Sequence, residues 1–485
     1  MSVDTDNAAF QDALNLIQYT RQSVFLTGKA GTGKSTFLRY VCEHTKKKYV
    51  VLAPTGIAAI NAGGSTMHSF FKLPFYPLLP DDPNLSLQRG RIHEFFKYTK
   101  PHRKLLEQIE LIIIDEISMV RADIIDAIDR ILRVYSHNLR EPFGGKQLLL
   151  VGDVFQLEPV VKNDEREILN RFYPTPYFFS ARVFGQIDLV SIELQKVYRQ
   201  TDPVFVGVLD HIRTNTAGAA DLQLLNTRYG SQIEESEADM YITLATRRDT
   251  VDSINEKKLA ELPGESITFE GVIEGDFPES SLPTSQELVL KPGAQIIFIK
   301  NDFDRRWVNG TIGVIAGIDE EEETIYVITD DGKECDVKRD SWRNIRYRYN
   351  EKTKEIEEEV LGSFTQYPIR LAWAITVHKS QGLTFSRVVI DFTGGVFAGG
   401  QAYVALSRCT SLDGIQLKKP INRADIFVRP EIVNFAGRFN NRQAIDKALK
   451  QAQADVQYAA AARAFNKGDI CLLYTSPSPR DTERS

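Results

Sequence analysis

Short runs of apolar residues, each bounded by glycine, proline or charged residues, recur along the chain. Seven of them predict buried strands: SVFLT, YVVLA, LIIID, LLLVG, YITLA, IIFI and VVIDF. Amphipathic segments separate many of these runs, as in DIIDAIDRILRVY at residues 123–135, where apolar residues recur every three or four positions. Strands that alternate with helices are typical of parallel sheets. The pattern therefore predicts an α/β architecture with enough strand–helix units for two mainly parallel sheets.

Two regions interrupt this alternation. Residues 64–104 are rich in aromatic, proline and basic residues and indicate an insertion. Residues 302–361 contain short alternating runs, and the segment TIYVITDDGKECDVK places a DDG turn signal between two of them. We expect a small β-domain here, inserted in the second α/β domain.

The end of the chain changes character again. The Ala-rich stretch ALKQAQADVQYAAAARAF predicts a C-terminal helical extension over residues 437–470. The following segment, residues 471–485, turns abruptly to serine, proline and arginine without periodicity. We expect this tail to be disordered or non-native and exclude it from the fold.

Composition narrows the class of protein. A chain of 485 residues with 42% hydrophobic residues suits about two to four domains. Its net charge of −6 argues against coating nucleic acid through bulk positive charge, although a local basic channel remains compatible with it.

The four cysteines are widely spaced, which predicts neither a zinc site nor a disulfide framework: Cys42, Cys335, Cys409 and Cys471. No apolar run approaches the ~20 residues of a membrane span, and the acidic, polar start is unlike a secretory signal. We expect a cytoplasmic protein without a membrane partner.

The segment GKAGTGKS at residues 28–35 fits the pattern G-x-x-x-x-G-K-[ST]. It follows the predicted strand SVFLT and opens the predicted helix STFLRYVCEH, which is the context that a phosphate-binding loop requires. The glycines let backbone N–H groups surround a phosphate, and the helix N-terminus favours negative charge. We predict that Lys34 reaches the terminal phosphates of ATP and that Ser35 ligates Mg²⁺. The predicted ATP-binding residues are Gly28, Ala30, Gly31, Thr32, Gly33, Lys34, Ser35 and Thr36.

Two further apolar runs end in polar residues. Asp115 is the last residue of LIIID and Glu116 follows it, and ligands bind at the carboxyl ends of strands in open α/β sheets. We predict that Asp115 holds Mg²⁺ through water and that Glu116 activates the attacking water as general base. Gln156 lies after LLLVG, where it is either a γ-phosphate contact or part of an ordinary strand-to-loop turn.

Taken in order, these motifs resemble those of superfamily I DNA helicases, in the branch that contains RecD and the Petite-Integration-Frequency (Pif) helicases. The chain most resembles a bacterial member of the Pif family, over most of residues 11–415. The resemblance implies two tandem RecA-like P-loop motor domains with parallel sheets, a small insertion in the first and an SH3-like β-domain inserted in the second. The implied boundaries are 1–63 and 105–185 for the first motor domain, 64–104 for its DNA-contacting insertion, 186–300 and 367–436 for the second motor domain, and 301–366 for the SH3-like insertion, near WVNGTIGVI.

For the nucleotide, the resemblance implies that Gln11 reads adenine and that Gln381 and Gly382 face the nucleotide. Arg199, in LQKVYRQTDPVFVGVLDHIR, would be an arginine finger, and Arg408, in QAYVALSRCTS, a second γ-phosphate arginine. Arginine forks bind phosphate well, and an arginine supplied across a cleft speeds phosphoryl transfer. Both arginines lie far from the P-loop in sequence, so they reach ATP only if two domains close on it.

For DNA, the resemblance implies contacts from several motifs on both halves of the chain. The sequence leaves the role of His378 open: it is either a structural residue or a contact to a phosphate or a base. The expected DNA-binding residues are Pro54, Thr55 and Gly56 in APTGIAA, Thr66, His68 and Phe70 in GSTMHSFF, Thr246 after YITLA, and Thr376, His378, Lys379 and Ser380 in LAWAITVHKSQG.

The function implied is an ATP-dependent DNA helicase that moves 5′-to-3′ on single-stranded DNA and unwinds duplex, forked or quadruplex DNA. The expected partners are single-stranded DNA and single-strand–duplex junctions, with quadruplexes and RNA–DNA hybrids open. We expect a monomer in the bacterial cytoplasm, associated with the nucleoid. A nucleic-acid translocase or remodeller without strand separation is an alternative. A P-loop kinase for a small metabolite is a third, although it predicts one core domain and no second set of arginines.

Overall fold

The computed structural model describes residue 4 and residues 7–87, 91–200, 202–230 and 240–451. The predicted tail 471–485, with Cys471, and the predicted helical extension beyond residue 451 lie outside these residues. Within them, no helix is long and apolar enough to cross a membrane. The three cysteines of the described chain form no disulfide.

The described strands, in chain order, are β1 (Val24–Gly28), β2 (Tyr49–Ala53), β3 (Ser65–Thr66), β4 (Leu111–Ile114), β5 (Gln147–Val151), β6 (Val190–Leu194), β7 (Ile242–Ala245), β8 (Ile267–Glu270), β9 (Val272–Gly275), β10 (Glu287–Leu290), β11 (Gln295–Phe298), β12 (Ile312–Asp319), β13 (Thr324–Thr329), β14 (Glu334–Val337), β15 (Asp340–Asn350), β16 (Glu355–Gln366), β17 (Ile369–Leu371), β18 (Ala374–Thr376), β19 (Val388–Asp391) and β20 (Ile415–Leu417). The described helices are α1 (Ala8–Tyr19), α2 (Lys34–His44), α3 (Gly56–Ala62), α4 (Met67–Phe71), α5 (Arg91–Phe95), α6 (Lys100–Gln108), α7 (Ala122–Tyr135), α8 (Asn163–Leu169), α9 (Pro203–Arg213), α10 (Ala219–Asn226), α11 (Arg248–Glu261), α12 (Gln401–Leu406) and α13 (Pro430–Ala436).

The first six strands form one parallel sheet in the order β3-β2-β4-β5-β1-β6. Its central strands are apolar at every position because both faces are covered. One face packs on α1 and α2, and the other on α6 and α7. The carboxyl ends of β1, β4 and β5 meet at one edge, which brings together the P-loop, the pair at 115–116 and the turn before Gln156.

A second parallel sheet has the order β18-β7-β19-β20. Its strands carry YITLA and VVIDF, so the structure confirms both as buried parallel strands. The two sheets confirm the α/β fold with two motor units. In both sheets the strand ends that carry motif residues open toward the space between the units.

The remaining strands are antiparallel and belong to the inserted β-region. A five-stranded sheet has the order β14-β13-β12-β11-β17, and β15, β16 and β9 form a long hairpin with a third strand. The DDG turn joins β13 to β14, as its sequence predicted. The run IIFI, predicted as a parallel strand, is instead β11 of this antiparallel sheet. The pattern misled because β11 is buried on both faces, so its residues do not alternate with polar ones.

The structure also shifts three predicted boundaries. Strand β6 pairs with β1 over five residues, so residues 190–194 belong to the first sheet although the second motor domain was predicted from residue 186. Helix α13, predicted in the second motor domain, packs Ile432 and Phe435 into the core of the first. Antiparallel structure begins at β8 and ends at β17, beyond both predicted ends of the 301–366 insertion.

Candidate functional site

The P-loop begins at Gly28, the last residue of β1, and ends at Ser35, the second residue of α2. Gly31 and Gly33 have φ angles of +80° and +91°, which side-chain-bearing residues rarely adopt. A Cβ added to Gly31 would lie 2.4 Å from the Cβ of Arg199, so glycine is also needed for close approach. The Lys34 ammonium donates to the carbonyl oxygens of Gly28 and Lys29, at 2.7 and 3.0 Å. These two hydrogen bonds hold the Lys34 side chain against the P-loop backbone, and burial lowers the pKa of Lys34.

Asp115 and Glu116 follow β4 at the same edge. An Asp115 carboxylate oxygen accepts the Glu116 N–H at 2.9 Å, and Glu116 has a left-handed φ of +50°. Burial raises the pKa of Asp115. Burial, followed by the charge of Asp115, raises the pKa of Glu116 to about 7, against the opposing effects of Lys34 and Arg408. Such a carboxylate is well matched to proton transfer near neutral pH.

A cavity of about 560 Å³, here called the nucleotide cavity, brings most of the predicted ATP-site residues together. Its lining comes from the P-loop, the carboxyl edge of the first sheet and two late segments of the chain. The predicted residues that line it are Ala30, Gly31, Thr32, Gly33, Lys34, Ser35, Thr36, Glu116, Gln156, Arg199, Gly382 and Arg408. Gln156 thus faces the cavity.

The two predicted phosphate arginines lie side by side. Arg199 donates to the Ser407 carbonyl at 3.3 Å. Arg408 is 2% exposed and donates to the carbonyls of Val404, Ser380 and Leu383. Burial and the neighbouring charge of Arg199 lower the pKa of Arg408 to about 9. Two cations held this close together favour a bound anion between them.

The outer part of the nucleotide cavity contains residues that the sequence reasoning missed. Asn7, Phe10 and Tyr198 line it, whereas Gln11 does not. Asn7 caps α1 by accepting the N–H of Ala9 at 3.1 Å. In the sequence, an N-cap residue followed by the aromatic Phe10 was the signal that could have identified this part of the site. Together, Phe10 and Tyr198 offer an aromatic environment for a planar base.

A second cavity of about 380 Å³, here called the interdomain cavity, lies between the motor units and the inserted β-region. Ser35, Asp115 and Glu116 line its nucleotide end. The predicted residues Thr55, His378, Lys379, Gln381 and Gly382 also line it, together with Trp342 and Arg370 from the β-region. The cavity therefore joins the predicted metal ligands to residues predicted to contact DNA.

Several predicted DNA residues have local structural roles that leave them accessible. Thr55 is exposed and caps α3 by accepting the Ala58 N–H, and Thr66 caps α4 in the same way. The Thr376 hydroxyl accepts the Lys379 N–H at 3.2 Å, and Pro54 precedes the α3 cap. Gly56 faces the β-region, where an added Cβ would lie 2.4 Å from the hydroxyl of Ser281.

Three predicted DNA contacts are placed differently by the structure. Phe70 is 4% exposed and packs against Phe71 in the core of the first motor unit, because burying its apolar ring is favourable. The Ser380 hydroxyl is buried and donates to the Val377 carbonyl at 2.7 Å. Thr246 is buried as well, with its hydroxyl facing Gly394.

The exposed aromatic surface of the first insertion lies beyond α4. Phe75 is 85% exposed, and its ring stacks on His68 with the ring centroids 5.0 Å apart. The exposed aromatic ring of this insertion therefore belongs to the segment LPFYP, residues 73–77, and not to Phe70. Burial and then the charge of Arg121 lower the pKa of His68.

Two contacts between the motor units escaped the sequence reasoning. The Ala30 N–H of the P-loop donates to the Tyr403 hydroxyl of α12 at 2.9 Å. Arg213 of α9 forms a bidentate buried pair with Asp153, two residues after β5, at 3.1 and 3.2 Å. Neither has a local signal, because each joins residues that are at least 60 positions apart.

The comparisons with known proteins agree with this arrangement. The family model described as PIF1-like helicase matches residues 4–207. The ATP-dependent DNA helicase Pif1 of Campylobacter jejuni is 34% identical over 412 residues, which cover 81% of this chain and 88% of that protein. The ATP-dependent DNA helicase PIF1 of Emericella nidulans is 32% identical, and the match covers 85% of this chain but only 60% of that longer protein.

Solved structures of Bacteroides Pif1 are similar at 42% identity. The complex with ADP-AlF4 has a TM-score of 0.81 and covers 89% of this chain and 96% of that one. The form bound to single-stranded DNA covers 90% and 97% but has a TM-score of 0.64. The extent of these matches, together with the shared order of the motifs, establishes that the chain belongs to the PIF1-like helicase family.

Proposed function

We propose that this chain is an ATP-dependent DNA helicase that moves 5′-to-3′ along single-stranded DNA and separates the duplex ahead of it. One observation carries the proposal. A single cavity collects the P-loop and Glu116 from the first motor unit and Arg408 from the second, with Arg199 from the segment after β6. A site divided in this way can report the state of the nucleotide to both units.

The P-loop and Lys34 bind the phosphates of ATP, the substrate. Lys34 exchanges its contacts with the Gly28 and Lys29 carbonyls for phosphate oxygens when ATP enters. Glu116 accepts a proton from the attacking water, which its raised pKa makes efficient near neutral pH. Gln156 lies close enough to the cavity to orient that water or the γ-phosphate.

The residues present fit Mg²⁺. Ser35 and Asp115 both face the interdomain cavity, and one N–H bond leaves Asp115 with free acceptor capacity. Hard divalent cations prefer oxygen ligands of this kind. Bound there, Mg²⁺ would supply neutralisation of phosphate charge.

Arg199 and Arg408 couple hydrolysis to closure. Both line the nucleotide cavity. Contacts from them to the γ-phosphate would let ATP draw the units together, and loss of the γ-phosphate would release them. Thr55 lies on the first unit and Lys379 on the second, and both line the interdomain cavity. If the two units hold a strand alternately during this cycle, the protein moves along it.

The wider assignments are also proposals. Single-stranded DNA and single-strand–duplex junctions are the substrates, as the solved Bacteroides relative bound to single-stranded DNA supports. Quadruplexes and RNA–DNA hybrids are further candidate substrates. The chain acts as a monomer in the bacterial cytoplasm, at the nucleoid where its substrate lies. A remodeller without strand separation would share the nucleotide site and is the second candidate.

ATPase and unwinding assays test the proposal together. We expect single-stranded DNA to stimulate hydrolysis more than duplex, and partial duplexes with a 5′ tail to unwind faster than those with a 3′ tail. Lys34→Ala should abolish both activities because the phosphates lose their principal cation. Stimulated hydrolysis without unwinding would favour the remodeller. If no nucleic acid stimulates ATP hydrolysis, the proposal that the chain is a DNA-dependent motor is wrong.

A further inference from the structure

Arg370 occupies an unusual position in the inserted β-region. It is the middle residue of β17 and pairs with Ile297 of β11. Its neighbours Ile369 and Leu371 pack into the core of the five-stranded sheet. Because strand side chains alternate, Arg370 projects from the opposite face, where it lines the interdomain cavity.

The guanidinium of Arg370 has no counter-charge in the described part of the chain. Its Nε is sealed from solvent without a hydrogen-bond partner, and no described carboxylate lies within 4.0 Å of it. Burial lowers the pKa of Arg370 to about 10. Arg370 is only partly exposed, and partial burial of a cation without a partner is unfavourable, so its position is better explained by an anion that enters the cavity.

The cavity around Arg370 suits a phosphate group. Lys379 and His378 are further basic residues on its wall, and Thr55, Asn61 and Asn309 add neutral polar groups. Arg39 lines it as well. Its carboxylates, Asp115 and Glu116, belong to the nucleotide end and make no ion pair with Arg370. A planar guanidinium binds phosphate oxygens in pairs, which a lysine does not.

We propose that Arg370 binds a backbone phosphate of single-stranded DNA where the strand passes between the two motor units and the β-region. This inference rests on the proposed DNA-binding function. Inorganic phosphate leaving the nucleotide cavity shares the same chemistry. We favour the strand because Thr55 and Lys379, from different motor units, line the same cavity as Arg370.

The salt dependence of DNA binding tests the proposal. Losing one phosphate contact should flatten the plot of log affinity against log salt by about 0.7 for a single strand. We therefore expect Arg370→Gln to bind a mixed-sequence oligonucleotide about ten-fold less tightly at low salt, with that smaller slope and no change in sequence preference. Arg438→Gln removes the same charge from an exposed site on the C-terminal segment and should leave both quantities unchanged.

Thermal unfolding separates binding from a structural role. Without DNA, Arg370→Gln should melt at the same temperature as the wild type or higher, because a buried unpaired charge has been removed. A lower melting temperature, or an unchanged salt slope, would overturn the proposal. Arg370→Lys, which keeps the charge, should keep the salt slope of the wild type and bind the oligonucleotide less tightly, because a lysine cannot contact two phosphate oxygens at once.

Two further outcomes identify the source of the phosphate. Inorganic phosphate that stabilises the wild type but not Arg370→Gln, with oligonucleotide binding equal in both, would overturn the strand assignment. If the wild type itself binds no oligonucleotide, the proposed function fails before the role of Arg370 is reached.

Discussion

At the scale of single residues, the nucleotide site contains buried ionisable groups whose charged forms the surrounding protein does not fully stabilise. Burial raises the pKa of Glu116 and lowers that of Lys34, so each group is held in an environment that favours its neutral form. Burial and the charge of Arg199 likewise disfavour the charged form of Arg408, even though its guanidinium donates to carbonyl oxygens. ATP and its metal bring the charges that these groups lack. Such a site is ready for its ligand at the expense of stability in the free protein.

Glu116→Gln should show this trade directly. A folded-state pKa of about 7 against an ordinary value of 4.5 means that ionising Glu116 opposes folding. Wild-type stability should fall as pH rises from 4.5 to 7 relative to Glu116→Gln, and the difference should stay constant above pH 7, at no more than about 3 kcal/mol. Hydrolysis should drop by roughly 10²–10⁴-fold because the base is lost.

Melting curves across this pH range, with steady-state ATPase at pH 8, measure both effects. Glu43→Gln, at an exposed carboxylate on α2, is the control and should show neither. A glutamine variant that is less stable than the wild type at pH 8 would contradict the charge argument.

At the scale of elements, the apolar runs predicted buried strands, but they did not decide between parallel and antiparallel pairing. LIIID, LLLVG and SVFLT are central parallel strands, and their ends were predictable because glycine and charged residues bound these runs. The IIFI run lies between two cores, so its continuous apolar pattern suited parallel and antiparallel sheets equally. Strand β6 was missed because its pairing with β1 depends on a partner about 165 residues away, which no local signal records.

The first insertion shows the same limit at α4. Phe70 and His68 looked equivalent in GSTMHSFF, yet the core takes Phe70 while His68 stacks on Phe75. Hydrophobicity alone does not tell a buried phenylalanine from a stacking platform; the proline-flanked segment LPFYP, which holds Phe75 outside a regular element, was the better indication.

Paired alanine variants at these two positions separate the roles. Phe70→Ala should destabilise the fold by about 3–5 kcal/mol through the cavity it leaves. Phe75→Ala should change stability by about 0.5 kcal/mol or less and weaken single-stranded DNA binding, since stacking on one base contributes about 1–3 kcal/mol. Urea unfolding and fluorescence anisotropy measure the two quantities. Normal DNA binding by Phe75→Ala would remove Phe75 from the strand path.

At the scale of the whole molecule, the two motor units touch through residues that also touch the nucleotide site. Tyr403 accepts the N–H of Ala30 in the P-loop, and Arg213 pairs with Asp153 close to Gln156. Contacts of this kind are therefore where binding of ATP and binding of a strand can influence each other.

The two arginines test whether closure drives the chemistry. Arginines supplied across a cleft contribute about 10³–10⁵-fold to phosphoryl transfer, whereas loss of one charged hydrogen bond weakens ATP binding by about ten-fold. We expect Arg199→Ala and Arg408→Ala each to reduce single-turnover hydrolysis far more than ATP affinity.

Arg199 is the cleaner probe, because Arg408 also satisfies three buried carbonyls and its removal destabilises the second unit. Arg408→Lys, which keeps the charge, should restore the stability of the fold more fully than it restores hydrolysis. Equal losses of hydrolysis and of nucleotide affinity would show that the arginines only hold ATP, and the two units would then need another means of sensing the γ-phosphate.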